Sequence, residues 1–159
     1  LKSFDFADAR LRADLAARFA GAGADPHRLE IEGPTAGAAF LANYHRVDIA
    51  LDPFPFCGTT TTMDALWMGV PVITLAGQRH AGRTGVSILS ALGEPGLIAA
   101  TEDDYADLAA SLAGDAARRE GLATGLRDRL RASPLCDARG FATRMDAAVR
   151  TMWHAWCRP

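Results

Sequence analysis

Apolar residues recur along this chain in short clusters, and the spacing inside each cluster predicts its element. Residues 1–3 read as the end of a strand. Leu11, Leu15 and Phe19 fall four apart within residues 7–20 and share one helical face, with Asp8 as a cap. Gly21, Gly23 and Pro26 end that helix. Residues 29–31 alternate as a short strand, 36–44 form a short helix capped by Thr35, and 47–51 form a second strand. A helix over 63–68 stops at Gly69, and 72–75 is apolar on both faces, the pattern of a buried parallel strand. Helix 84–92 follows, then strand 97–99. Helix 102–113 has Thr101 as its cap and acids in its first turn, and an arginine-rich helix covers 115–131. The last helix, 141–156, lines up Phe141, Met145, Val149, Met152 and Trp156 on one stripe that could face something other than the sheet. Short apolar strands alternating with helices predict an α/β domain with a parallel sheet.

Composition changes this picture little. Of 159 residues, 49% are hydrophobic and 23% charged, which excludes a disordered chain. The net charge of −2 advertises no nucleic-acid or anionic-membrane partner. No apolar run is long enough to span a bilayer, and no secretory leader is visible. Alanine supplies 32 residues and arginine outnumbers lysine 16 to 1, a bias of GC-rich coding rather than of function. Cys57, Cys136 and Cys157 are too few and too scattered for a disulfide scaffold or a zinc site. Their odd number suits a reducing compartment, and a cytoplasmic location is expected. The chain opens on Leu1 rather than Met and reads as a fragment.

The stretch from Asp52 to Pro71, DPFPFCGTTTTMDALWMGVP, carries the clearest chemistry. A strand ends, a loop passes through Gly58, and four threonines lead into a helix. Free N–H groups at a helix start and the helix dipole favour an anion. Threonine hydroxyls add donors without charge, Gly58 lets a ligand approach the backbone, and Asp64 could accept hydrogen bonds from ribose hydroxyls. The same residues also fit a plain β-branched run with one cap. Residue pattern alone reaches only a possible phosphate site. GxGxxG and Walker A sequences are absent, and Ser87 lacks a nucleophile elbow. His27, His45 and His154 are isolated, and Trp67, Trp153 and Trp156 are expected to be core residues on helical faces.

Residues 44–92 closely resemble the C-terminal half of the O-linked N-acetylglucosamine transferase family, including the SPINDLY-type protein O-fucosyltransferases. The signature is D-x-F-P-(F/Y)-x-G-T-T-T-T followed by A-L-W-M-G-V-P-V, and the similarity continues through Glu102-Asp103-Asp104-Tyr105 and Ser133-Pro134-Leu135-Cys136 to Met152-Trp153. The resemblance implies part of the C-terminal half of a GT-B fold: a Rossmann-like parallel sheet with flanking helices, ending in a long C-terminal helix. It divides the chain into a truncated nucleotide-sugar-binding domain, residues 1–132, and a helical extension, 133–159. It implies that Thr59, Thr60, Thr61 and Thr62 hold the donor diphosphate, that Asp64 binds the ribose, and that Thr35 meets the nucleobase through its backbone. Arg79 and His80 match a pair facing the cleft.

Some positions depart from the family pattern. Phe40 stands where many bacterial members carry a histidine, and Ala36-Gly37 where they carry Pro-His. The lysine most important for catalysis, the acceptor-side histidine and the tetratricopeptide repeats that grip protein acceptors all correspond to positions upstream of Leu1. No catalytic residue is therefore assigned in this chain, which alone is expected to be inactive. The implied activity of the parent is inverting transfer from a nucleotide-sugar to a Ser/Thr hydroxyl. UDP-N-acetylglucosamine is the preferred donor and GDP-fucose the alternative. No metal and no cofactor beyond the donor are implied. A non-catalytic, self-associating domain is the competing reading, because an open sheet edge and the Phe141–Trp156 stripe both invite a second copy.

Overall fold

A computed structural model describes residues 1–158. They form two compact units, one from Leu1 to Asn43 and one from Tyr44 onward. In the first, helix α1 (Ala9–Gly21) starts where Asp8 accepts a hydrogen bond from the Arg10 N–H at 2.8 Å. The two predicted strands shrink to one parallel bridge, Lys2 with Glu32, reinforced by a 3.3 Å ion pair between their side chains. Helix α2 (Gly37–Ala42) is shorter than its pattern suggests. Its N-cap is Ala36 and no side chain caps it, so the expected Thr35 cap is not formed; Thr35 Oγ1 instead accepts from Asn43 Nδ2 at 3.2 Å. No residue of this unit is buried, because some forty residues are too few to enclose a core.

The second unit is built on a three-stranded parallel sheet in the order β1-β2-β3. Strand β1 (Ala50–Leu51) leads to helix α3 (Thr60–Trp67), β2 (Val72–Leu75) to α4 (Thr84–Leu92), and β3 (Ile98–Ala99) to α5 (Glu102–Gly114). Helices α6 (Ala116–Ala132) and α7 (Ala138–Trp156) follow. Ala50 pairs with Val72 and Leu51 with Ile73; Thr74 pairs with Ile98 and Leu75 with Ala99. Helices α3, α4 and α5 pack on β2, and α6 packs on α3 and α5. Their shared core contains Leu66, Ile73, Leu89, Leu97, Leu112, Leu126 and Leu130. The α/β architecture read from the sequence is thus the observed one, and it ends in the long helix that the pattern predicts.

The caps explain the boundaries. Thr101 and Asp104 form a reciprocal capping box at α5, each side chain accepting from the other's N–H at 3.1 Å. Asp115 caps α6 and Asp137 caps α7, the latter drawing the helix start three residues ahead of its apolar stripe. The expectation that the three tryptophans are core residues fails. Trp67 is 42% exposed, and Trp153 and Trp156 are 63% and 84% exposed. The Arg127 guanidinium lies 5.6 Å from the Trp67 ring centroid, and its Nε donates to the Trp67 carbonyl at 2.6 Å, so a cation closes the α3 C-terminus. Helix α7 buries none of its residues.

Candidate functional site

All three strands release the chain at the same sheet edge, and the loops that follow them assemble the candidate site. After β1, Pro53 and Pro55 cannot continue a ladder, and the chain folds back on itself. Asp52, only 3% exposed, organises the turn. Its Oδ1 accepts from the Gly58 N–H and its Oδ2 from the Thr74 hydroxyl, both at 2.7 Å. The Tyr105 hydroxyl, from α5, donates to the Asp52 carbonyl at 2.8 Å, and the Tyr105 ring meets Phe54 edge to face at 5.6 Å. The Cys57 N–H donates to the Ala81 carbonyl at 2.9 Å, joining the first loop to the second.

This turn delivers the threonines to the start of α3. Thr59 is the N-cap residue, and no side chain caps the helix, so the N–H groups of the first turn stand available to an acceptor. The four threonines are not equivalent. Thr59, Thr60 and Thr61 are exposed, whereas Thr62 is buried against the loop. A Cβ on Gly58 would lie 2.7 Å from Thr62 Oγ1 and 2.8 Å from Thr61 Oγ1, so a side chain there would push both hydroxyls aside. Asp64 sits within the same helix, half-buried. Burial, and secondarily the Asp64 carboxylate, push the Tyr44 hydroxyl above its ordinary pKa, while that hydroxyl donates to the Thr61 carbonyl at 3.1 Å.

The loop after β2 is closed by Gly77 N–H to Gly82 O at 2.9 Å and by Arg83 Nη1 to Gly77 O at 3.1 Å. With the loops after β1 and β3 it surrounds a cavity of about 460 Å³ lined by Phe54, Phe56, Leu75, Gln78, Arg79 and Glu102. A smaller hollow of about 140 Å³ is lined by Tyr44, Leu51, Asp52, Thr61 and Thr62. Thr59–Thr62, Asp64 and Arg79 therefore belong to loops and a helix start at one edge of the sheet. His80 is exposed at the head of a 3-10 turn and does not line the cavity, and Thr35 lies in the first unit. Sequence reasoning missed the buried Asp52 and its partners Thr74 and Tyr105, which hold the turn. Among the described residues no group of three His, Cys, Asp or Glu side chains could hold a metal, and no helix is long and apolar enough to cross a membrane.

Tyr105 is pushed up to about 12, first by burial, then by the Asp52 carboxylate and by Cys57. Because the folded value lies above the unfolded value of about 10, this group's contribution to stability is complete below pH 10. It is lost as pH rises through 12. Tyr105→Phe is expected to remove the hydrogen bond to Asp52, costing about 1 kcal/mol at pH 7. It should also flatten the alkaline loss of stability between pH 10 and 12. Urea unfolding at a series of alkaline pH values checks this; an unchanged alkaline slope would contradict it.

The model of glycosyl transferase family 41 matches residues 23–145. The barley protein named "Probable UDP-N-acetylglucosamine--peptide N-acetylglucosaminyltransferase SPINDLY" is 46% identical over 114 residues, 72% of this chain and 12% of that protein. The Arabidopsis thaliana protein of the same name is 44% identical over 115 residues, 72% of this chain and 13% of that one. The UDP-N-acetylglucosamine--peptide N-acetylglucosaminyltransferase of Caenorhabditis elegans is 32% identical over 132 residues, 82% of this chain and 11% of that one. The solved structure of a mutant Thermobaculum terrenum O-GlcNAc transferase superposes with a TM-score of 0.92 at 36% identity, covering 99% of this chain and 30% of that one. The chain thus spans about an eighth of the length of these plant relatives. A parallel sheet with a threonine-rich helix start at its carboxyl edge, a family model covering most of the chain and a structural superposition over nearly all of this chain agree: this chain belongs to glycosyl transferase family 41.

Proposed function

We propose that this chain is the donor-binding part of a protein O-glycosyltransferase that takes N-acetylglucosamine from its UDP carrier and passes it, with inversion, to a Ser or Thr hydroxyl. The observation that carries this reading is the uncapped start of α3, with Thr60 and Thr61 exposed beside it and Asp64 on the same helix. The first-turn N–H groups and the threonine hydroxyls face the diphosphate, whose charge grows as the sugar leaves, and preorganised donors stabilise that charge. Asp64 accepts from the ribose hydroxyls. Arg79 brings a cation to the cavity at the same sheet edge, where it can serve the sugar side of the donor. The names of the plant and nematode relatives support UDP-N-acetylglucosamine as the donor. The protein acceptor is gripped by parts of the parent protein outside this chain.

Calorimetric titration of the chain with UDP and, separately, with GDP tests the reading. Preferential UDP binding is expected. Preferential GDP binding would replace it with transfer of fucose, and binding of neither would overturn it. Thr60→Ala combined with Thr61→Ala is expected to weaken UDP binding about tenfold, the loss of roughly one net hydrogen bond to a charged group. Both residues are exposed, so the melting temperature should stay unchanged. Undiminished affinity would remove the threonines from the site.

A further inference from the structure

The proposed transfer gives Asp52 no chemical step, yet Asp52 is buried in the second unit, where a carboxylate is costly. It is the one acidic or basic side chain buried among the described residues. A carboxylate withdrawn from water is unfavourable unless its oxygens are satisfied. Here two neutral donors satisfy them: the Gly58 N–H on Oδ1 and the Thr74 hydroxyl on Oδ2. The position thus demands two acceptors on one short side chain, and no other side chain of this length provides them.

We propose that Asp52 is a positioning residue of the donor site, one that sets the start of α3 against β2. Gly58 immediately precedes the Thr59 cap, so the bond from its N–H to Oδ1 fixes where the helix begins. Thr74 lies in the middle of the sheet, so the bond to Oδ2 refers that start to the central strand. The Cβ site of Gly58 lies 3.2 Å from Asp52 Oδ1 and under 3 Å from the hydroxyls of Thr61 and Thr62, so carboxylate, glycine and threonines form one stack. A shift of the carboxylate passes directly into the donors that face the diphosphate. The core anchor Leu66, on the last turn of α3, holds the rest of the helix in place. The inference rests on the reading of α3 as the diphosphate site.

The test compares affinities for UDP and for uridine, which lacks phosphate, in the wild-type chain and in Asp52→Ala, Asp52→Asn and Thr74→Ser. Asp52→Ala is expected to lower the UDP-to-uridine affinity ratio about tenfold. Asp52→Asn, which keeps one acceptor, should lower it less. Thr74→Ser, which keeps the hydroxyl, should leave it as in the wild type. A purely structural role would lower the melting temperature without moving that ratio. If Asp52→Ala does not fold, Asp52→Asn decides: a lowered ratio, with faster amide exchange at Gly58, supports the inference, and an unchanged ratio overturns it. A folded Asp52→Ala with the wild-type ratio also overturns it, while leaving the diphosphate reading intact. A wild-type chain that binds neither UDP nor GDP overturns that reading and the inference together.

Discussion

Gly85→Ala is expected to destabilise the second unit by about 3 kcal/mol, although alanine is the better helix former. Gly85 is the second residue of α4, and in isolation the substitution would favour the helix by about 1 kcal/mol. The added Cβ would overlap Thr74 Oγ1 and Asp52 Oδ2 and come within 2.8 Å of Thr74 Cβ. Neither partner can yield, because Thr74 is fully buried in the central strand and Asp52 is held at both oxygens. Overpacking a core position costs roughly 1–3 kcal/mol. Prising apart the Thr74–Asp52 bond leaves a buried carboxylate oxygen unsatisfied, at roughly 1–3 kcal/mol more. The steric and electrostatic costs together outweigh the helix propensity. The urea midpoint should fall in proportion, and a variant as stable as the wild type would mean that α4 can slide away from the carboxylate. Close approach, rather than helix propensity, is thus what demands glycine at this position.

Much of the fold can be read from residue patterns because local chemistry decides it. Four consecutive apolar or β-branched residues predict strand 72–75, and β2 has those bounds. Helix α4 begins and ends as its pattern predicts, and α5 and α6 start where Thr101 and Asp115 cap them. Residues 47–51 read as one strand, and the structure shortens it. Only Ala50 and Leu51 pair with β2, because the Val47 N–H turns back to the Tyr44 carbonyl and delays the ladder. The tryptophans mislead for a different reason: an apolar stripe states that one face avoids water, and it does not state what covers that face. On α7 the stripe is real, yet Phe141 and Met152 remain about 60% exposed.

The candidate site divides in the same way. The threonine run and Gly58 read as a possible phosphate site at a helix start because the whole motif is contiguous. Asp52 does not announce itself, since its partners Thr74 and Tyr105 lie 22 and 53 residues away in sequence. A carboxylate after a strand looks like any solvated loop acid until the fold buries it. The run of four threonines likewise hides a division of labour. Thr62 is buried with its hydroxyl against Gly58, Thr61 sets its hydroxyl over the same glycine while staying exposed, and Thr60 is exposed.

Leu66→Ala should cost about 3 kcal/mol, the other large effect expected, and its value lies in what it leaves unchanged. Leu66 is fully buried, on the helix whose other end carries the threonines. Helix α3 packs on β2 and α6, so truncation opens a cavity that two rigid elements border. Leucine-to-alanine changes in such settings cost roughly 2–5 kcal/mol, more where the walls cannot collapse inward. Global stability should therefore fall while UDP affinity, measured well below the melting temperature, stays within about twofold, since additivity holds for groups without shared partners. The contrast with Asp52→Ala separates two ways of holding a helix. If Leu66→Ala weakens UDP binding as strongly as it weakens the fold, the hydrophobic contacts set the position of the helix start. If affinity survives, the start is held by the polar stack of Asp52, Gly58 and Thr74, and the core supplies only the stability on which that stack stands.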